Sequence, residues 1–331
     1  MTTNRIDALD AMRGFTVAAM LLVNNPGTWS AIYAPLRHAE WHGWTPADLI
    51  FPFFLFIVGI TTELSRKEPR GIFKRGALIV LCGLALNAFP YFRLDELRVM
   101  GVLQRIGIVY IVAALIAWKA SRRTIAAIVV AILIGYWAVL SLGPLAPPDA
   151  TIAAQVDRAL IPERHLWKQS RTWDPEGPLS TVPAVATALL GVLVTPWVRA
   201  RNVKTLTIFG AIAICAGVLW SLLFPINKNL WTSSYVVFTA GAASVVLALW
   251  MAKLPSKPFS VFGANPLIAF VGSGVMARLL GISKLQPLSY RTFFKPYFAP
   301  PLASLLWSLT FVLFWYAVLL ILHRRRIFVR L

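Results

Sequence analysis

Apolar stretches long enough to cross a bilayer, about 17 to 25 residues each, recur from one end of this chain to the other. Short segments rich in Lys, Arg, Pro and Trp separate them, so no soluble domain can be split off. Backbone in hydrocarbon must satisfy its own hydrogen bonds, which restricts apolar spans of this length to helices. The expected spans are residues 14–33, 47–63, 72–90, 99–118, 123–143, 180–198, 205–224, 232–252, 259–280 and 301–322. The expected fold is all-α: a polytopic membrane helix bundle of about ten or eleven transmembrane helices, forming one domain over residues 1–331. Asn24, Asn25, Pro26 and Gly27 break the first span, and Gly272, Gly274 and Arg278 interrupt the ninth. Interrupted spans usually border protein or a wet cavity.

Charge sets the expected orientation. Only 14% of residues are charged, yet the net charge is +19. With no soluble basic face available, that excess argues for topology and against nucleic-acid binding. One side of the membrane collects Arg5, Arg13, Arg66, Lys67, Arg70, Lys74, Arg75, Lys119, Arg122, Arg123, Arg199, Arg201, Lys204, Lys253, Lys257, Arg324, Arg325, Arg326 and Arg330, nineteen in all. The other side carries eleven, with Arg158, Arg164, Lys168 and Arg171 in one long loop, and Arg105 and Arg278 fall inside spans. The positive-inside rule then places both termini in the cytoplasm, with segments 34–46, 91–98, 144–179, 225–231 and 281–300 facing outward. Cys82 and Cys215 lie far apart in apolar runs and read as packing residues, with no disulfide and no metal site. The N-terminus lacks the basic start and cleavage site of a signal peptide, so the first helix is expected to stay in the mature protein.

Polar chemistry concentrates at the outer ends of the first two spans. His38 and His42 flank Glu40 and Trp41, and Asp48 stands at the mouth of the second helix. Histidine exchanges a proton near neutral pH, and a carboxylate orients its ring or stabilises its cation. Either histidine is therefore a candidate general base. The alternative is an interfacial belt with Trp41 and Trp44, with Asp48 serving the helix dipole. Asn24 and Asn25 must each find a partner within an apolar span, whether a substrate carbonyl or a neighbouring helix. Arg13 and Arg105 suit phosphate if they face a cavity, and structural ion pairs if they do not, with Asp7 or Asp10 as partners for Arg13. Asp174 and Glu176 lie among Pro and Gly turn residues and are placed either to shape the turn or to meet an amino sugar. For Trp231 and Tyr235, interface anchoring is the default expectation.

The strings Leu9-Asp10-Ala11-Met12-Arg13-Gly14 through Val23-Asn24-Asn25-Pro26-Gly27, and His38-Ala39-Glu40-Trp41-His42-Gly43 with Asp48 and Phe51-Pro52, resemble the heparan-α-glucosaminide N-acetyltransferase family. Gly101-Val102-Leu103-Gln104-Arg105-Ile106-Gly107, Asp174-Pro175-Glu176-Gly177, Asn227-Lys228-Asn229-Leu230-Trp231-Thr232-Ser233-Ser234-Tyr235 and Gly263-Ala264-Asn265-Pro266-Leu267 look like its later motifs, in order along nearly the whole chain. The resemblance implies a transmembrane acetyltransferase that passes acetyl from cytosolic acetyl-CoA to the amine of a glucosamine-type sugar on the far side. It implies His38, Asp48 and Asn24 as catalytic residues, and Arg13, Arg98 and Arg105 along the CoA path. Asn25, Glu40, Trp41, Asp174, Glu176 and Trp231 are the corresponding substrate-binding candidates.

In this scheme His38 takes the amine proton, Asn24 polarises the thioester carbonyl and Asp48 stabilises the imidazolium, while His42 falls to an interface or supporting role. An acetyl-histidine intermediate is the competing scheme. The lysosomal family member's lumenal N-terminal region has no counterpart here, which shifts the expected acceptor to a small amino sugar or cell-wall sugar. The remaining expectations are a bacterial inner membrane, surrounding lipid, a homodimer, and neither nucleic acid nor metal. Two rival readings are a sugar or amino-sugar transporter, which broken spans also suit, and an O-acyltransferase acting on an envelope glycan or lipid. A purely structural scaffold gives polar groups no reason to converge at the outer end of the first two spans.

Overall fold

A computed structural model of the chain describes residues 6–65 and 67–329. Arg5, Arg66 and Arg330 of the charge count lie outside the described residues. Thirteen α-helices occur among the described residues: α1 Asp7–Asn24, α2 Pro46–Ser65, α3 Pro69–Ala88, α4 Val102–Lys119, α5 Arg122–Leu140, α6 Ile152–Leu160, α7 Pro178–Arg199, α8 Val203–Trp220, α9 Ser233–Ala252, α10 Phe259–Ala264, α11 Pro266–Ile282, α12 Leu285–Phe293 and α13 Pro300–Arg324. No strand occurs among these residues. Eight of the helices are individually long and apolar enough to cross a membrane, and α11 with α12 forms a further, bent pair at 80°.

The ends of the helices follow local chemistry. Ser121 and Asn202 accept hydrogen bonds from the amides of Thr124 and Thr205 at 3.2 and 3.0 Å and so cap α5 and α8. Proline begins α2, α3, α7, α11 and α13, where its missing amide hydrogen costs nothing.

Two expected spans are corrected. The first was placed at 14–33, but α1 starts at Asp7 and stops at Asn24. Its start is early because Asp10 and Arg13 pair with one another on α1, which lets charged residues enter the packed part of the helix. Its end is early because Pro26 disfavours helical backbone at Asn25. The ninth, placed at 259–280, is split at Asn265 between α10 and α11. Asn265 holds the break by donating to the Ile327 carbonyl at 2.9 Å and accepting from the Val329 amide at 2.9 Å.

The chain forms two compact units, one of Met1–Ala39, Thr45–Phe54 and Leu249–Arg330, the other of Glu40–Trp44 and Leu55–Ala248. In the first unit α1 packs against α10 with glycine at the crossing. A Cβ on Gly14 would stand 1.7 Å from the Phe259 carbonyl oxygen, and one on Gly263 1.9 Å from that of Asp10. Small residues of this kind let membrane helices meet backbone to backbone. Val17, Leu21, Phe262, Ala269, Phe311 and Trp315 form the adjoining core. In the second unit α2 and α7 cross in the same manner, where a Cβ on Gly59 would lie 1.8 Å from the Ala188 oxygen and one on Gly191 2.1 Å from that of Phe56.

Candidate active site

The first unit brings His38 and Asp48 together. Thr45-Pro46-Ala47-Asp48 begins α2 with one arm of a capping box: the Thr45 amide donates to Asp48 Oδ2 at 3.0 Å, and the Asp48 amide donates to the Thr45 backbone carbonyl at 2.9 Å. The Ala39 amide also donates to Oδ2, at 3.0 Å, and the Thr45 hydroxyl donates to it at 3.2 Å. Oδ1 then receives His38 Nδ1 at 2.8 Å. A carboxylate only accepts, so Nδ1 carries the hydrogen and the basic lone pair sits on Nε2. Asp48 is buried, whereas 39% of the His38 side chain is exposed. A fixed carboxylate thus orients an accessible imidazole, and Asp48 makes this contact from the first turn of α2, where the helix dipole also favours it.

Asn24 and Asn25 lie at the end of α1 in the same unit. Asn25 Nδ2 donates to the Leu21 carbonyl at 2.8 Å, and its own carbonyl accepts from the Ser308 hydroxyl at 3.0 Å. Asn24 is exposed and, with Asn25, lines a cleft of ≈ 670 Å³. Arg13 donates through Nε to the Gly263 carbonyl at 3.0 Å and pairs with Asp10, one of the two structural partners anticipated for it.

The second unit holds the other candidates. Arg98 donates to Asp174 at 2.8 and 2.6 Å and to Glu176 at 2.5 Å. Desolvation opposes the charge of Arg98, but its hydrogen bonds to Asp174 and the charges of Glu176 and Asp174 outweigh this and raise its pKa. Arg105, on α4, is fully buried. It donates to the Pro175 carbonyl at 2.9 Å, to the Thr181 hydroxyl at 3.2 Å and to the Ser180 hydroxyl, and its guanidinium lies 4.9 Å from the Trp231 ring centroid. Trp231 is not the expected interface anchor: it is fully buried and donates to the Thr187 hydroxyl at 3.0 Å, because the cation above its face and Tyr235 at its edge draw it inward. Tyr235 is likewise fully buried.

Trp41 donates to the Leu145 carbonyl at 2.8 Å and meets Trp173 edge-on, while Glu40 is exposed. His42 Nδ1 lies 3.3 Å from the Asn227 amide nitrogen, and desolvation lowers its pKa.

Sequence reasoning missed Asp157. It accepts from the Asp174 amide at 2.9 Å through Oδ2, while buried Oδ1 has no hydrogen-bond partner. Burial, opposed by that amide and reinforced by the Asp174 charge, pushes its pKa up to about 7. The signal was present: Asp157 shares one face of α6 with Ala153 and Ala154, and that face is the buried one.

Residues 5–151 match the model of the family "Heparan-alpha-glucosaminide N-acetyltransferase, catalytic". Two curated relatives, each described as heparan-alpha-glucosaminide N-acetyltransferase, are 28% identical to the chain. The mouse protein aligns over 83% of this chain and 54% of its own length, the human protein over 82% and 53%. The chain therefore spans about half the length of the curated relatives it matches. Arg13, Asn24, His38, Asp48, Arg98 and Arg105 fall within the matched segment; Asp174, Glu176 and Trp231 fall beyond it.

Proposed function

We propose that the chain, which is similar to heparan-α-glucosaminide N-acetyltransferases over residues 5–151 and to two relatives at 28% identity, is a membrane enzyme transferring acetyl from cytosolic acetyl-CoA to the amine of a glucosamine-type sugar on the outer face. The observation that carries this reading is the His38–Asp48 pair, an oriented and accessible base inside the family-matched segment. His38 Nε2 accepts a proton as the uncharged acceptor nitrogen attacks the acetyl carbonyl carbon. The C–S bond breaks, and the departing CoA thiolate takes up the proton from the imidazolium. Asp48 holds Nδ1–H throughout and stabilises the imidazolium between the two transfers. Asn24, exposed at the end of α1, supplies an amide donor for the developing oxyanion.

Arg13, at the cytoplasmic end of α1, belongs to the CoA entrance in this reading. The carboxylates and carbonyls that already occupy Arg98 and Arg105 support a different task for those two, holding the turn at residues 174–181 in place. Asn25, Glu40 and Trp41 supply acceptor contacts. The protein resides in a bacterial inner membrane as a homodimer, which mass photometry of detergent-solubilised protein tests.

The decisive experiment is transfer of radiolabel from acetyl-CoA to glucosamine by purified protein, run beside His38→Ala and Asp48→Asn variants. Transfer by the wild type and its loss in His38→Ala support the reading. An unlabelled product from a folded wild-type protein across amino-sugar acceptors sinks it.

A further inference from the structure

The cleft beside Asn24 has two unlike ends. One wall is α12, bent 80° away from α11. At 3.6 residues per turn, Gln286, Pro287, Tyr290 and Arg291 fall on the face of α12 that lines the cleft. Leu285 and Leu288 fall on the opposite face and are 52% and 61% exposed. A short helix bent away from a membrane span is suited to the interface, with these leucines in lipid. The cleft's mouth is then at headgroup level. Arg291 and Lys295 stand there with no ion-pair partner among the described residues, and no Asp or Glu lines the cleft. The other end is apolar: Leu280 on α11 and Trp307 and Phe311 on α13 line it. Phe311 lies eleven residues after Pro300, which also lines the cleft, a descent of about 16 Å at the α-helical rise. The mouth is braced by Gln286, whose Nε2 donates to the Gly27 carbonyl at 2.8 Å.

Cations at the headgroup level above an apolar slot of this depth match an anionic amphiphile, and Asn24, which lines the same cleft from the end of α1, matches an acceptor. We propose that the cleft binds a phospholipid whose phosphate carries the amino-sugar acceptor, with the phosphate on Arg291 and Lys295 and the upper chain along Leu280, Trp307 and Phe311. The acceptor thus arrives from the plane of the membrane. This rests on the acetyl-transfer reading for the identity of the sugar, but the lipid site itself does not.

The test uses the full chain in phosphatidylcholine nanodiscs. The lipid probe is dioleoyl glucosaminyl phosphatidylglycerol, with glucosamine and glucosamine 1-phosphate as soluble comparators. Native mass spectrometry without acetyl-CoA reads lipid retention, and acetyl transfer reads the ratio of kcat/KM for the lipid to that for free glucosamine. In the Arg291→Gln/Lys295→Gln double variant, retention and that ratio should each fall about 30-fold, the effect of two interfacial cations on one anionic lipid. Retention equal to wild type, an unchanged ratio, or displacement of the lipid by equimolar glucosamine 1-phosphate would overturn the proposal, the last by showing a soluble phosphate ligand. Cation-dependent retention with no acceptor acetylated leaves the lipid site standing and refutes the transferase reading. Acetylation of free glucosamine with no lipid retained does the reverse.

Discussion

The His38–Asp48 pair and the cluster of Arg98, Arg105, Asp157, Asp174 and Glu176 are built from similar side chains and are suited to opposite tasks. In the first, every partner of Asp48 given above lies close in sequence, and one ring remains 39% exposed to solvent. In the second, long-range contacts consume the charges: Arg98 spans 76 residues to reach Asp174, and Arg105 bonds four groups between Pro175 and Thr181. Accessibility separates a group that is able to exchange protons with a substrate from one that holds a loop. Burying charges without full pairing costs several kcal/mol, so the cluster is expected to tolerate little change, whereas Asp48 keeps the Ala39 and Thr45 amides as partners when the half-exposed His38 is removed.

That contrast can be broken by mutation. The largest effect is expected for His38→Ala, which should lower kcat by about 100- to 10,000-fold and leave the melting temperature in detergent unchanged; a matching drop in melting temperature would move His38 into the structural class. Arg98→Ala should do the converse. By stranding Asp174 and Glu176 it should cost about 3–5 kcal/mol of stability, measured by thermal unfolding, and a stable but inactive variant would return Arg98 to the acetyl-CoA path.

Asp157 sharpens the comparison through pH. Its folded pKa of about 7 lies above the ordinary 3.8. The unfolded chain therefore releases this proton first, and the contribution of Asp157 to stability, full below about pH 4, is lost as pH rises through 7. Asp157→Asn keeps the shape and removes the ionisation, so its melting temperature should be flatter between pH 4 and 7 than that of the wild type. Parallel curves would show that Asp157 is ionised at neutral pH. The smallest effect is expected for Trp41→Phe, which deletes the hydrogen bond to Leu145 at a cost of about 0.5–1.5 kcal/mol; a larger loss in acceptor KM than in stability would transfer Trp41 to substrate binding.

Much of this is legible in the sequence alone. From the second expected span to the eighth, and in the last, the observed helices begin and end within four residues of the hydropathy reading, because length and apolarity dictate a helix wherever water is absent. His38 and Asp48 were also readable as partners, since a capping position and a loop of nine intervening residues keep them local. The start of α1 was not. Asp7, Asp10 and Arg13 depress its hydropathy, and the local Asp10–Arg13 pair together with the tertiary bond from Arg13 to the Gly263 carbonyl lets that stretch be helical within the packed unit.

Sequence by itself determined the all-helical membrane architecture and the pairing of His38 with Asp48, both of which depend on composition or on neighbours a few residues apart. Tertiary structure alone decided which charges are spent. Whether Arg13, Arg98 and Arg105 have partners, whether Trp231 faces lipid or a buried guanidinium, and whether α12 walls a cleft depend on contacts between residues up to about 260 positions apart. The free energy of a charge in a membrane is set by those partners and not by its position along the chain.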